Sequence, residues 1–235
     1  MNIREFEEKM KLNIEKIFED ILSIHNYVLD ISSKSRSGAE ISDFLEDYFV
    51  KYLVDGSHPR IYNPKSSPKG KTKNPYDFCF NYRVKEKDFE FDDIVWGDIK
   101  AVSGAYNNSN PDLGTPSKVI KFMLDGHFYL MFVLLKYEPT NDGKTKFIPF
   151  NNEHFVRVSF LKDVNSSVRI NPEPQFQVNI KAEDQYRTKE EFIDMFEEKY
   201  IQSLNRVIKK KTEILNRIPI TFKKIREIQC KKGND

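Results

Sequence analysis

Residues Asn74 to Val102 read NPYDFCFNYRVKEKDFEFDDIVWGDIKAV, and their pattern decides how the chain is to be understood. From Asp77 to Arg83 polar and apolar side chains alternate. A second strand pattern follows from Phe89 to Val102, carried by Ile94, Trp96, Ile99 and Val102 and interrupted at Gly97. Two strand patterns separated by a short polar stretch spell an antiparallel hairpin. Asp77 opens the first strand and Asp98 lies in the second. Facing side chains of such a pair stand about 5 Å apart. Two carboxylates that close repel each other unless a cation sits between them. A hard divalent ion with oxygen ligands satisfies them, and magnesium binds in this way with waters and substrate phosphates completing its shell.

Lys100 follows Asp98 by two residues, so it projects from the same face of its strand. An ammonium beside two carboxylates and a divalent ion can stabilise an attacking water and the charge that develops on phosphorus. Asp-x-Lys alone is a weak signal, and Asp142-Gly143-Lys144 repeats it in a predicted turn without a partner acid. That copy serves as an internal control. The ordinary account of Asp98 and Lys100 is an ion pair on a solvated strand face. Against it, Trp96-Gly97-Asp98-Ile99-Lys100 lies within an apolar strand, where unpaired charge is costly. A different strand pairing would put Asp92 or Asp93 in the place of Asp77.

Outward from the hairpin, Phe6–Ile24 and Ala39–Leu53 carry apolar residues at helical spacing. Pro59–Pro75 is rich in Pro, Lys, Ser and Gly, and within it Lys65–Lys73 reads as a basic loop. Pro116–Leu124 reads as a short helix leading into the strongest strand, His127–Lys136. Thr145–Phe150, Phe155–Leu161 and Gln175–Ile180 read as further strands. The last long helix spans roughly 188–216 with Thr188 as its N-cap, and the basic tail after Pro219 is left unassigned. Strand, loop, helix, strand in that order predicts a mixed sheet with a crossover helix. The expected fold class is α/β (α+β), a central mixed sheet flanked by helices with long helices at both ends, in a single domain over 1–235. Its parts are N-terminal helices (1–55), a catalytic sheet region (75–180) and the C-terminal helix.

The 235 residues carry 38 Lys and Arg against 36 Asp and Glu, a formal net charge of +2. Such a balance does not by itself mark a nucleic-acid binder, and it suits a chain whose basic residues gather on one face. Cys79 and Cys230 are the two cysteines, and no Cys/His cluster has zinc spacing, which favours a reducing cytoplasm. The N-terminus lacks an apolar signal core and no apolar run reaches membrane-spanning length. A soluble, cytoplasmic protein with no membrane contact is expected. His25, His58, His127 and His154 are scattered without metal spacing.

Asp77 with Asp98-Ile99-Lys100 resembles the PD-(D/E)xK nuclease signature, with Tyr76 as an extra residue between Pro75 and Asp77. The amide-rich loop after the lysine and the QFQVNI stretch before a long C-terminal helix resemble the EcoRV and HincII group of type II restriction endonucleases. GAEISDFLEDYFVKY, KTKNPYD, SNPDLGT, FLKDVN, RINPEPQFQVNI and YRTKEEFI resemble enzymes of the SwaI kind. The resemblance implies a restriction-endonuclease-like fold and a homodimer that cuts both strands of palindromic double-stranded DNA, leaving blunt ends. It implies Mg2+ held by Asp77, Asp98 and the backbone carbonyl of Ile99, with Lys100 assisting the water and no small-molecule cofactor. Glu40 or Glu46 would add a further carboxylate, with Glu40 the preferred of the two.

Candidate DNA contacts follow. Lys69, Lys71 and Lys73 precede Asp77 and suit phosphate contacts, although a charged loop is equally ordinary. Tyr106, Asn107, Asn108 and Asn110 follow the lysine strand, and Asn can pair with adenine, while Asn is also common in turns. Gln175, Gln177 and Asn179 alternate on one strand face, suiting base edges or a polar sheet edge. Arg187 is placed to touch the DNA backbone. Other readings are a repair or junction-resolving nuclease, an inactive DNA-binding module, and an interaction domain with a coincidental motif.

Overall fold

A computed structural model describes residues 2–32, 36–56, 58–67, 76–104, 111–150, 154–165, 167–170, 175–179 and 182–232, with side chains to 229. The expected α/β architecture is present. Helices α1 (Ile3–Ile24) and α2 (Ser37–Gly56) are followed by strands β2 (Ile61–Ser66), β3 (Phe78–Glu86) and β4 (Phe89–Ser103), with a short strand β1 (Val28–Leu29) between the helices. Helix α3 (Pro116–Leu124) leads to β5 (Leu130–Pro139), β6 (Thr145–Ile148) and β7 (Val156–Phe160). A two-stranded ribbon, β8 (Arg169–Ile170) and β9 (Phe176–Gln177), precedes α4 (Lys189–Lys232).

The main sheet runs β1-β6-β5-β4-β3-β2, with β7 also paired to β5. β4 and β5 are parallel and joined through α3, and the other pairs are antiparallel. A parallel pair needs such a crossover, and its strands are buried on both faces. β5 shows this directly. Met131, Val133 and Leu135 enter the core beneath α1 and α2, while Leu130, Phe132 and Leu134 enter a second core beneath α3 and α4. The apolar run in β5 is therefore continuous rather than alternating.

α1 begins with a capping box, in which Asn2 accepts from the Glu5 amide and Glu5 reaches back to the Asn2 amide. Thr188 and Glu191 form the same reciprocal pair at the start of α4. Two glycines set the distance between layers near the hairpin. A Cβ on Gly97 would collide with the Phe78 ring, which lies across it in the paired strand. A Cβ on Gly38 would stand 3.1 Å from the Ala101 carbonyl, so glycine there lets the first turn of α2 rest against β4.

A second concentration of buried charge lies away from the hairpin. Lys162 is 3% exposed. It bridges Glu7 at 2.7 Å and Asp163 at 2.8 Å, and donates to the Arg187 carbonyl at 2.8 Å. This cluster ties α1 to the turn after β7 and to the approach to α4. Arg187, expected at the DNA backbone, belongs to it. It is 6% exposed, and its guanidinium donates to the carbonyls of Lys162, Val164 and Gln185. That expectation is corrected: a guanidinium buried on three carbonyls braces the fold and does not reach a ligand.

Two element boundaries also differ from the sequence reading. Part of the predicted basic loop is strand β2, which carries Pro64 at a bulge where Asn63 has φ +50°. Proline is tolerated at bulges and on edge strands, and β2 is the edge of the sheet. α4 continues through Pro219 to Lys232 instead of ending near residue 216. Among the described residues no helix is long and apolar enough to cross a membrane.

Candidate active site

The site is built where β3 begins beside the middle of β4. Register fixes the geometry. Phe78 faces Gly97, Cys79 faces Trp96, and the pairing continues without slip to Glu86 and Phe89. One step before Phe78 lies Asp77 and one step after Gly97 lies Asp98, so the two acids fall opposite each other. Asp77 donates its amide to the Gly97 carbonyl at 2.8 Å, and its Oδ2 accepts from the Ile99 amide at 2.7 Å. Its carboxylate is thereby held against β4 within hydrogen-bonding reach of Asp98. The same register places Asp92 opposite Arg83, where the two form an ion pair at 2.7 Å on the exposed end of the hairpin, and places Asp93 opposite Tyr82. Neither stands in for Asp77.

Asp98 is 6% exposed. Burial pushes its carboxyl up to about 7, and the neighbouring Asp77 carboxylate adds to this against the opposing pull of Lys100. Lys100 Nζ stands 3.0 Å from Asp98 Oδ1. Burial works against the Lys100 ammonium, but Asp98, Asp77 and Asp112 together hold its pKa above the ordinary lysine value. The result is a fixed cation beside two apposed acids, of which the buried Asp98 keeps its proton up to about pH 7.

α2 approaches from the other side of the strand. Ser42 Oγ shares its proton between the Gly38 carbonyl at 3.0 Å and the Ile99 carbonyl at 3.1 Å. One turn further along α2, Glu46 accepts from the Ser67 amide at 3.0 Å. Burial, reinforced by Asp77, pushes the Glu46 carboxyl up to about 7. Of the two helix acids weighed from sequence, Glu46 is the one in electrostatic contact with Asp77. Glu40 is half-buried in the first turn of α2. Spacing carried a usable signal, because Ser42 and Glu46 lie four residues apart and so share a helix face.

An open cleft of about 370 Å³ lies beside Ser42 and Lys100, lined by these two, Ile99, Pro111 and Asp112 among others, while Asp77, Asp98 and Glu46 stand outside its lining. Asp112 was not singled out in the sequence. It accepts from Gln177 Nε2 at 3.1 Å, and residues 113–114 pair with Phe176 through main-chain hydrogen bonds. Gln177 is thus drawn toward the lysine end of the cleft through Asp112. Gln175 and Asn179 flank it in sequence. Lys69, Lys71, Lys73, Tyr106, Asn107, Asn108 and Asn110 lie outside the described residues.

All the donors here are oxygens, two carboxylates and a backbone carbonyl, with a third carboxylate on α2. This is the donor set of a hard cation such as magnesium, which needs only one or two protein carboxylates when phosphate oxygens join it. The elevated Asp98 carboxyl fits the same conclusion, since two apposed acids without a cation cannot both ionise readily. Among the described residues no group of three or more His, Cys, Asp or Glu side chains is gathered as a complete metal cage.

No curated protein sequence matches the chain. A solved structure of the NlaIV restriction endonuclease is similar over 85% of this chain and 89% of that one, with 11% identity and a TM-score of 0.43. The family model described as SwaI-like, SwaI restriction endonuclease, matches residues 2–218. That span takes in the hairpin, the cleft and the first part of α4, and the chain belongs to the SwaI-like restriction endonuclease family.

Proposed function

We propose that this restriction endonuclease is a Mg2+-dependent type II enzyme that, as a homodimer, hydrolyses both strands of palindromic double-stranded DNA and leaves blunt ends. The observation that carries the reading is Asp77 opposite Asp98 with Lys100 Nζ 3.0 Å from Asp98, in the buried middle of β4, whose Ile99 to Val102 segment borders a cleft.

Asp77, Asp98 and the Ile99 carbonyl are the groups that would hold Mg2+, with Glu46 or Glu40 as an additional carboxylate from α2. When bound, the ion would supply Lewis-acid polarisation of the scissile phosphate and a more acidic water. The chain's own residues do the rest. Lys100 keeps an ammonium beside the position where negative charge develops, in a place where Asp98 prevents it from swinging away. The Ile99 amide fixes the Asp77 carboxylate, and Ser42 fixes the Ile99 carbonyl. Both backbone groups belong to one residue of β4, so the donor set is held by the sheet rather than by a loop. Preorganised groups of this kind contribute more than mobile ones, because no reorganisation is needed during the reaction.

DNA contact is assigned to the two segments that bound the site in sequence. Lys69, Lys71 and Lys73 precede Asp77 and supply phosphate contacts, and Tyr106, Asn107, Asn108 and Asn110 follow Lys100 and supply groove contacts. Gln175, Gln177 and Asn179 are the remaining candidates for base edges. Incubation with DNA of known sequence, with Mg2+ or with EDTA, followed by sequencing of the ends, tests the proposal. The expected result is discrete fragments in Mg2+ alone, with flush ends at one palindrome. Cleavage confined to branched substrates, or none with any divalent ion, would overturn it.

A further inference from the structure

α4 packs on the body only through its first half. Phe192, Phe196 and Ser203 are its buried residues, Val207 is half-buried, and Arg206 donates to the Ile170 carbonyl at 2.7 Å. From Ile208 to Gln229 every side chain is exposed. A helix that extends about 35 Å beyond its support at 1.5 Å per residue gains nothing from tertiary packing, from which most helical stability in proteins comes. Pro219 weakens it further, since an interior proline removes a backbone hydrogen bond and costs about 3 kcal/mol.

The exposed residues are not arranged at random. Ile201, Leu204, Ile208, Lys211, Leu215, Ile218, Phe222 and Ile225 follow one another at intervals of three and four. Apart from Lys211 all are large apolar side chains, 43–65% exposed. Ile214 and Ile228 widen the stripe along one flank. An alternating three-four repeat is the seam of a left-handed helix pair. Eight Lys and Arg and two Glu lie between Ile201 and Gln229. Of these ten, only Lys211 and Arg226 fall on the seam or beside it.

We infer that the outer half of α4 is a dimerisation helix whose partner is α4 of a second copy, antiparallel. The area is sufficient. Nine apolar side chains with roughly 60–120 Å² each give about 500–1,100 Å² per helix, which brackets the ~800 Å² per partner of stable interfaces. Charge decides the direction. A parallel pair in register sets Lys211 against Lys211. An antiparallel pair centred near Glu213 sets Lys211 against Leu215, Ile208 against Ile218, Leu204 against Phe222 and Ile201 against Ile225. Such an interface is isologous, the same patch used twice about a two-fold axis. It leaves the remaining basic residues on the outer surface.

This identifies a surface for the two-copy arrangement proposed above without resting on nuclease activity, so mass and cleavage are measured separately. Light scattering on the full chain should give twice the 27.8 kDa monomer mass. The double variant Leu215→Glu, Ile218→Glu should halve that mass with an unchanged circular dichroism signal from the sheet, and Lys211→Leu should lower the dimer dissociation constant at least tenfold. On a Cys230→Ser background, Leu204→Cys mixed with Phe222→Cys should cross-link under oxidation, and Leu204→Cys alone should not. A double variant that stays dimeric would place the interface elsewhere while leaving the two-copy reading intact. Self-cross-linking of Leu204→Cys would overturn the antiparallel register. A wild-type chain that is monomeric at micromolar concentration would overturn the inference, and cleavage of plasmid by that chain would show that the nuclease reading survives it. If the outer helix serves DNA alone, Lys211→Leu weakens DNA binding and leaves every mass unchanged, which also overturns it.

Discussion

Asp98-Ile99-Lys100 and Asp142-Gly143-Lys144 share one three-residue pattern and have opposite surroundings. In the first, the ion pair is 3.0 Å long, with side chains 8% and 27% exposed for the acid and the lysine. In the second, it is 4.0 Å long, with exposures of 64% and 47%. The Asp98 carboxyl is pushed up to about 7, chiefly by burial. The Asp142 carboxyl is held below the usual carboxylate range by the Thr140 hydroxyl. What separates them is a second acid across the strand and the burial of the pair, neither of which the pattern itself encodes. A third region completes the contrast. Lys162 with Glu7 and Asp163 is as buried as the first, but its ammonium is engaged by both acids and by the Arg187 carbonyl, and none of the three lines the cleft beside Lys100.

Variants can break or sharpen this comparison. The largest effect is expected at the first pair. Lys100→Ala should reduce the Mg2+-dependent cleavage rate of plasmid DNA about a thousandfold or more, in line with the loss of a positioned proton-transfer or charge-stabilising group. Its affinity for the same DNA, read by gel shift, should change by only a few fold. If Lys100→Ala cuts at near the wild-type rate, the site is elsewhere.

Lys162→Ala should act on stability instead. It leaves two buried carboxylates without their cation, which costs about 3–5 kcal/mol in denaturant unfolding. The cleavage rate per folded molecule should be unchanged at low temperature.

The pH dependence of metal-free stability should isolate Asp98. Its folded pKa lies above the unfolded value, so the native state holds its proton longer. Stability is then fully present below about pH 4 and is lost as pH rises toward 7. The difference corresponds to an effect on the order of 4 kcal/mol if taken in full. Asp98→Asn should raise the Tm at pH 8 and flatten the slope of stability between pH 4 and 7. Glu46→Gln should flatten it in the same direction. A wild-type Tm that rises steadily across this window, unaltered by Asp98→Asn, would contradict the burial of that carboxylate.

The smallest effect is expected at the control. Asp142→Asn and Lys144→Ala should each leave the denaturant midpoint indistinguishable from wild type, as for exposed ion pairs generally, and leave cleavage as it was.

Much of this was legible in the sequence because the period of a strand or helix is written by its apolar residues. The β3–β4 hairpin, the span of α3 and the opposition of Asp77 and Asp98 follow from alternation and register. What was not legible depends on tertiary surroundings. β2 was read as loop because Pro64 and the lysines argue against a strand, yet an edge position and a bulge accommodate both. Beyond Pro219 the sequence alone assigns no element, because proline ordinarily ends a helix. Arg187 looked like a surface cation, and only the fold reveals the three carbonyls that bury it. Glu46 ranked below Glu40 since sequence distance from Asp77 says nothing of which helical turn faces it. Asp112 gave no pattern, because its place beside Lys100 is set by the main-chain pairing of residues 112–114 with β9.

The central claim is that Asp77 and Asp98 jointly hold a divalent cation. Calorimetric titration of Mg2+ into the protein with bound duplex DNA tests it, comparing wild type with Asp77→Asn and with Asp98→Asn under conditions where all three stay folded. A binding heat present in the wild type and absent in both variants is the predicted result. Equal heats and affinities in all three proteins would contradict it.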